Sequence, residues 1–276
     1  MYKLIISQCI DTILNYMAIQ DKNRKLDRLL SEWVPKTVYT SSYLEKLGYG
    51  ADLLNGYKET GWIRSIGRGA YVRFKEEPSW EGGVYALRQQ LELPVHIGGI
   101  TALTLLGRAH FIPSRLSQCH LYLSRKHKLP KWFMSFDWEV DMILHISSFL
   151  REEDIGLTQI RRELIPVTLS SPERAILEML SHVNSESSFT HAWRIMEGLT
   201  TLRPDLMQEL IERCNSIKIV RLCLYMAEKN QLPWFERLDT TKFNFGSGKR
   251  SIVKGGKLNK NYQITVPVNL EDDSWI

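Results

Sequence analysis

The chain has 276 residues, which is enough for two domains of ordinary size. Hydrophobic residues make up 43% and charged residues 24%, a composition that excludes wholesale disorder. The net charge of +5 is concentrated, because residues 21–75 hold eleven Lys or Arg against six Asp or Glu. Such a local excess is typical of a small module that contacts phosphates.

The cysteines and the amino-terminal residues indicate a cytoplasmic protein. Cys9, Cys119, Cys214 and Cys223 lie far apart and form no CxxC pair, so we expect free thiols in a reducing compartment. Residues 1–20 are too polar to span a bilayer, and no signal-peptide cleavage site follows them. We interpret them as an extra helix or an upstream start, with Met17 as the alternative initiator.

Three short helices are predicted next. Apolar residues at helical spacing predict the first over residues 21–33, and Pro35 ends it. Thr40 or Ser41 is a suitable N-cap for the second, and Gly48 supplies the sharp turn that follows. The third runs from about Ala51 to Thr60. The residues of the second and third helices that are expected in the core are Tyr43, Leu44, Leu47, Leu53, Leu54 and Tyr57.

Two strand-like segments, Trp62–Ile66 and Ala70–Phe74, then flank Gly67-Arg68-Gly69. Helix, turn, helix and a two-stranded ribbon predict a winged helix-turn-helix, which places its last helix in the major groove of DNA. Asn55 is the best candidate for base readout, because an amide can bond an adenine edge in both directions. The predicted DNA-contacting residues are Thr40, Ser41, Ser42, Ala51, Asp52, Asn55, Lys58, Arg64, Arg68 and Arg73. A winged helix that docks a protein partner is the alternative.

A polar break at Glu76–Ser79 predicts the domain boundary. The predicted division is an extension over residues 1–20, a winged helix over 21–77 and a carboxy-terminal domain over 78–276. Helices and strands alternate in the last part, and the sequence Ser170-Ser171-Pro172-Glu173 predicts a helix start with Ser170 as the cap. The predicted strands there are Pro94–Gly99, His120–Ser124, Val140–Ser147 and Ile165–Leu169. The fold class is therefore α+β, a winged helix followed by a larger mixed α/β domain.

The segment Thr241–Lys260 holds six Lys or Arg and no acid. Its Gly246-Ser247-Gly248-Lys249 run has the wrong spacing for a phosphate-binding P-loop and lacks the Ser or Thr after the Lys. A basic hairpin that touches DNA phosphates or an acidic partner is the better interpretation, through Lys249, Arg250, Lys254 and Lys257. The scattered histidines and the lack of catalytic motifs predict no enzyme activity, no cofactor and no metal. An active site assembled from distant positions stays open.

The order of these motifs resembles that of the AbiEi antitoxins, the transcriptional-regulator half of type IV toxin–antitoxin systems. The likeness covers about residues 17–267 and rests on the helix-to-wing run within 53–71, His96–Leu103, Ser170–Glu178, and Gly246–Arg250 with Gly255–Leu258. Residues 1–20 depart from the family pattern.

The resemblance implies an autorepressor that binds inverted repeats in its own promoter. It also implies a second domain that counters a nucleotidyltransferase toxin without a stable complex, in phage defence by abortive infection or in maintenance of a mobile element. No membrane partner is expected.

Overall fold

The computed structural model describes residues 20–21, 24–109, 116–150 and 154–268. The chain forms two compact units. The first takes in the described residues up to Glu92, together with Leu129–Trp138 and Arg162–Ile165. The second takes in Leu93–Lys128, Glu139–Arg161 and the residues from Pro166 onward. Helices and strands in both parts confirm the predicted α+β class. The predicted extension lies outside the described residues, apart from Gln20.

The helices and strands follow one another along the chain in two runs. Up to residue 105 they are α1 (24–32), β1 (Tyr39–Thr40), α2 (Ser41–Lys46), α3 (Ala51–Glu59), β2 (Ile63–Gly67), β3 (Ala70–Arg73), α4 (Trp80–Tyr85), β4 (His96–Ile97) and α5 (Gly99–Leu105). Beyond it they are β5 (Gln118–Ser124), α6 (Lys131–Ser135), β6 (Asp141–Ser147), β7 (Leu157–Arg162), β8 (Ile165–Ser170), α7 (Pro172–Ser181), α8 (Glu186–Glu197), α9 (Pro204–Glu212), α10 (Ile217–Lys229), β9 (Lys257–Asn259) and β10 (Ile264–Val266).

The first unit contains a winged helix-turn-helix. Its three strands lie in the order β1-β3-β2, and Tyr39 of β1 pairs with Tyr71 of β3. Strand β1 was not predicted, because two residues are too short to show a periodic pattern. The core of this unit is formed by Leu26, Leu29, Trp33, Tyr39, Leu44, Tyr49, Leu54, Tyr57 and Ile63. The expectation that Leu47 is buried was wrong, because it caps the carboxyl end of α2 and stays exposed.

The first unit extends beyond the wing. Helix α4 continues as a π-helical turn over Ala86–Gln90, and the Gln90 side chain accepts from the Thr40 backbone at 2.8 Å and donates to the Val38 carbonyl at 2.7 Å. Gln90 is buried, so these two hydrogen bonds fix the position of β1 against the π-helical turn. The predicted domain bounds stay a prediction, whereas the compact unit includes α4 and its π-helical turn.

The second unit is built on a five-stranded sheet in the order β6-β5-β4-β8-β7. Strand β4 is antiparallel to β5 and parallel to β8, and β5 is parallel to β6. Helices α7 to α10 carry most of the remaining core of this unit, and β9 and β10 form a separate antiparallel pair. Strand β7 was missed in the sequence, because its exposed face carries Gln159 and Arg161.

A fully buried carboxylate, that of Glu178 in α7, joins the elements of the second unit. Its Oε1 lies 2.8 Å from His96 Nε2 and accepts from Arg174 Nε at 2.8 Å. Its Oε2 accepts from the Gly99 backbone at 2.9 Å and from Ser170 Oγ at 2.7 Å. Strand β4, the start of α5, the end of β8 and α7 therefore meet at one side chain.

These contacts correct the predicted helix start. Ser170 donates to Glu178 rather than capping α7, and Ser171 is the N-cap residue. Glu173 does not close a capping box. Its carboxylate instead accepts from the Arg203 backbone and guanidinium at 2.9 to 3.1 Å. A capping pattern and a buried ion pair use the same residue types, so the sequence could not separate them.

Three imidazoles lie side by side on β5, β6 and the end of α7. His120 Nδ1 lies 2.8 Å from His145 Nε2, and the rings of His145 and His182 are 4.1 Å apart. Burial and the neighbouring imidazoles of His182 and His120 lower the pKa of His145 to about 4. Within the described part of the chain, no group of three His, Cys, Asp or Glu side chains is placed to hold a metal ion.

Cys119, Cys214 and Cys223 are buried and form no disulfide within the described residues, as expected, and Cys9 lies outside those residues. Burial raises the pKa of the Cys214 thiol to about 11. Among the residues that the structure describes, no helix combines the length and the apolar character needed to cross a membrane.

We predict that Glu178→Gln lowers the free energy of unfolding by about 3 kcal/mol or more, because Arg174 then keeps a buried charge without its counter-ion. The matched control is Glu209→Gln. Glu209 and Arg213 form a pair at the same i,i+4 spacing on the surface of α9, and its loss should cost less than about 0.5 kcal/mol. Urea denaturation at pH 7 measures both. Equal effects would contradict the central role of Glu178.

We also predict that the difference in stability between the wild type and Glu178→Gln depends on pH. Burial opposes ionisation of Glu178, but attraction to His96 and Arg174 outweighs it and lowers its pKa from 4.5 to about 2. A carboxyl whose pKa is lower in the folded state stabilises fully above its unfolded pKa. The advantage of the wild type over Glu178→Gln should therefore be complete above about pH 5 and shrink as the pH falls toward 2.

Candidate nucleic-acid interface

Helix α3 presents one solvent-facing side. Leu54 and Tyr57 are buried, and Leu53 packs partly against the core, so the other side of the helix faces solvent. The 3.6-residue period explains this division. The exposed residues of α3 are Ala51, Asp52, Asn55, Lys58 and Glu59. All four residues of α3 that were predicted to contact DNA thus share one face.

The start of α2 lies beside the turn of the wing. The Ser41 backbone donates to the Gly69 carbonyl at 2.9 Å, and Ser42 is exposed next to it. Thr40 is different, since only 2% of it is exposed and its hydroxyl accepts from the Tyr43 backbone as the N-cap. That Thr40 contacts DNA stays a prediction, and the burial of its side chain disfavours it.

The tip of the wing presents Arg68. The pairing register of the hairpin shifts at a bulge between Ser65 and Gly67. At this bulge Ser65 Oγ donates to the Gly67 carbonyl at 2.7 Å. Gly69 has a φ of +79°, which a residue with a side chain rarely adopts. Arg68 is exposed, and within the described part of the chain it has no hydrogen-bond or ion-pair partner. Its guanidinium is thus available to an external anion.

Helix α6 supports the wing from its other side. A Cβ on Gly67 would lie 2.7 Å from Trp132 Cβ, so only glycine allows this approach. Trp132 is buried and packs edge-on against Phe133 and Trp138. This role of residues 129–138 was not predicted, because nothing in their local sequence pattern indicates which residues they pack against. The wing is therefore held by α6 on one side and by Ser41 on the other.

Arg64 and Arg73 are engaged inside the module. Arg64 donates to the Glu76 carbonyl at 2.9 Å and pairs with Glu77 at 2.7 Å. Arg73 pairs with Glu76 at 2.6 Å, and its side chain is largely covered. That these two arginines contact DNA stays a prediction, which is disfavoured because the carboxylates of Glu76 and Glu77 already balance their charges.

The four predicted basic residues of the second unit lie on the segment before β9 and at the first residue of that strand. Lys249, Lys254 and Lys257 are exposed, and Arg250 is half-buried. The buried Arg221 of α10 shapes this region, since its guanidinium donates to the carbonyls of residues 245, 246, 248 and 263 at 2.7 to 3.3 Å. No helix opens after Lys249, so the segment is not a P-loop.

Two models of one protein family match this chain. The model for the amino-terminal domain of the AbiEi antitoxin transcriptional regulators matches residues 22–114. The model described as "Transcriptional regulator, AbiEi antitoxin, Type IV TA system" matches residues 117–267, which is more than half of the chain. The chain belongs to the AbiEi antitoxin family.

A solved structure shows the same fold. The crystal structure of the Rv2827c protein from Mycobacterium tuberculosis matches with a TM-score of 0.53 and 12% identity, over 90% of this chain and 92% of that chain. Comparison with curated proteins gives no match.

The segments that carry the resemblance to AbiEi antitoxins have separate structural tasks in this chain. His96 and Gly99 meet Ser170, Arg174 and Glu178 in the buried network of the second unit. The glycine-rich segment after residue 245 wraps around Arg221. The segment from Leu53 to Tyr71 forms α3 and the wing. The network residues are buried, whereas the wing segment and the glycine-rich segment both have exposed motif residues.

We predict opposite effects for alanine at two glycines of this AbiEi winged helix. Gly67→Ala should lower the free energy of unfolding by about 1–3 kcal/mol, because its methyl group overlaps Trp132. Gly56→Ala should raise it by about 0.5–1 kcal/mol, because Gly56 lies within α3 and a Cβ there meets open space. Thermal unfolding measures both changes. A neutral Gly67→Ala would show that α6 does not hold the wing.

Proposed function

We propose that this AbiEi-family protein is a cytoplasmic DNA-binding autorepressor and antitoxin. In this proposal α3 reads the major groove of inverted repeats in its own promoter, and Ser41, Ser42 and Arg68 contact the phosphate backbone. The second unit counters a nucleotidyltransferase toxin without forming a stable complex with it.

The observation that carries the DNA-binding part is the position of Arg68. It projects from a wing that is fixed by the Gly67–Trp132 contact and by the bond from Ser41 to Gly69. A fixed wing loses little conformational freedom when it binds, so more of the contact energy appears as affinity. The start of α2 lies next to the turn that carries Arg68, since the Ser41 backbone bonds to Gly69. In this proposal Ser41 and Arg68 therefore contact neighbouring phosphates.

The charge of α3 restricts how it would read DNA. Its exposed face carries Asp52 and Glu59 against Lys58, so the helix itself is not attracted to phosphates. Attraction must come from elsewhere in the module, and α3 must contribute hydrogen bonds to base edges. Asn55 suits adenine and Asp52 suits the amino group of cytosine.

The same charge favours the second candidate, a winged helix that binds a protein. Trp62 and Phe74 are exposed next to each other at the base of the wing, where the Phe74 backbone donates to the Trp62 carbonyl at 3.0 Å. Exposed aromatic residues beside a mildly acidic helix are also found at protein interfaces. Binding to the chain's own upstream DNA separates the two candidates.

We predict that Arg68→Ala weakens operator binding and lowers the slope of log affinity against log salt by about one unit, since one phosphate contact is lost. Asn55→Ala should instead reduce the preference for operator over random DNA, with an unchanged salt slope. Fluorescence anisotropy across a salt series measures both variants.

The control for this experiment is Arg213→Ala, which removes a surface arginine already paired with Glu209. It should leave affinity and slope unchanged. If Arg68→Ala behaves like this control, the wing does not contact DNA. If the wild type prefers no sequence within its own upstream region, the protein-docking candidate replaces the proposal.

The antitoxin part is tested separately from DNA binding. We predict that DNA next to the gene encodes a nucleotidyltransferase, and that the protein restores growth of cells that express this enzyme. An Asn55→Ala/Arg68→Ala double variant, expressed from an unrelated promoter, should restore growth equally well. Lys249→Ala/Lys254→Ala tests whether the exposed lysines of the second unit take part. No rescue by the wild type would remove the antitoxin role and leave the DNA proposal standing.

A further inference from the structure

Strand β6 lies at one edge of the five-stranded sheet of the second unit. It pairs in parallel with β5 over its full length, from Asp141 beside Gln118 to Ser147 beside Ser124. On its other side, no strand pairs with it among the residues that the structure describes. Six of its backbone N–H and C=O groups therefore point away from β5 at this edge. Which residues carry them follows from the phase of the hydrogen bonds between β6 and β5.

The phase is given by the Asp141 backbone, which donates to the Ser117 carbonyl at 2.9 Å. In a parallel pair, alternate residues direct both their N–H and their C=O to the same neighbour. Asp141, Ile143, His145 and Ser147 thus bond to β5. Met142, Leu144 and Ile146 direct three N–H and three C=O groups outward.

The two edges of this sheet differ in protection. Strand β7 at the opposite edge carries the exposed Gln159 and Arg161, and charged residues on an edge discourage pairing with other chains. Strand β6 reads Asp-Met-Ile-Leu-His-Ile-Ser, with no Lys, Arg, Pro or bulge, and Ile146 is 48% exposed. An edge of this kind is suited to accept another strand.

We propose that β6 pairs antiparallel with β6 of a second copy of this chain, around a two-fold axis at Leu144. The two sheets then join into one sheet of ten strands. Met142 pairs with Ile146 of the second copy, Leu144 with Leu144, and Ile146 with Met142. Each of these pairs joins two residues whose backbone groups face outward, so all six outward groups of each copy can be satisfied.

Self-complementarity is the reason for choosing a second copy over another partner. A two-fold interface places the same surface against itself, so a strand must match its own reversed sequence. On one face of the joined sheet, Met142, Leu144 and Ile146 of one copy lie opposite Ile146, Leu144 and Met142 of the other. On the other face Ile143 meets His145 and Asp141 meets Ser147, so no like charges lie opposite one another.

The first experiment measures the oligomeric state without DNA, which separates it from the proposed function. Sedimentation of the wild type between about 1 and 100 µM should show a reversible dimer. Leu144→Pro should raise the dimer Kd at least tenfold, because proline lacks the N–H that residue 144 directs toward the second copy. The hydrogen bonds between β6 and β5 are not affected, since residue 144 makes none of them. Ile146→Lys should weaken the dimer as well, and it keeps the test decisive if the proline variant fails to fold.

The control variant is Leu164→Lys. Leu164 is 61% exposed in the turn between β7 and β8, the two strands farthest from β6 in the sheet. This change therefore removes a more exposed apolar side chain that lies away from β6. The dimer Kd should stay unchanged. Circular dichroism and thermal melts establish that each variant is folded.

The second experiment tests the register by cysteine cross-linking in a Cys9→Ser background. Leu144→Cys should form an intermolecular disulfide, because residues paired at the axis have Cα atoms about 5.5 Å apart. Met142→Cys alone should not, since it pairs with residue 146, whereas Met142→Cys/Ile146→Cys should. A monomeric wild type, an unaffected dimer in both β6 variants, or equal cross-linking of Met142→Cys and Leu144→Cys would each overturn the proposal.

Discussion

The second unit depends on one buried carboxylate. Glu178 is ionised without any solvent exposure, and it remains so because His96, Arg174, Ser170 and the Gly99 backbone all direct polar atoms at its two oxygens. A buried charge is tolerated only when its hydrogen-bonding capacity is filled. The elements that supply these groups, β4, α5, β8 and α7, are therefore fixed relative to one another.

The first unit solves a different problem, which is how to hold a short hairpin steady. Two hydrogen-bonded strands alone are barely stable in water. Here Trp132 packs on Gly67 and the start of α2 bonds to Gly69, so the turn between them has a defined position. Arg68 is placed by this support. The proposed contact with DNA uses a side chain whose backbone is already ordered.

Local patterns predicted the winged helix well, but they did not predict the partners that its side chains have within the fold. The spacing of apolar residues, Gly48 and the Gly67-Arg68-Gly69 turn located α2, α3 and the hairpin, because these depend on neighbours within a few residues. Arg64 and Arg73 were placed on the DNA side, yet Glu76 and Glu77 hold both. An arginine looks the same in sequence whether it faces solvent or an acid, so only coordinates separate the two.

The sequence by itself determined the class of protein. The excess of positive charge before residue 76 and the turn chemistry of the wing predicted a nucleic-acid-binding module. The order of the motifs resembles that of the AbiEi antitoxins, the family to which the chain belongs. The tertiary structure decided which residues remain open to a partner. Burial of Thr40, the network at Glu178 and the edge position of β6 in its sheet all depend on segments far apart in the chain. Long-range packing brings those segments together, and no local pattern records which of them will meet.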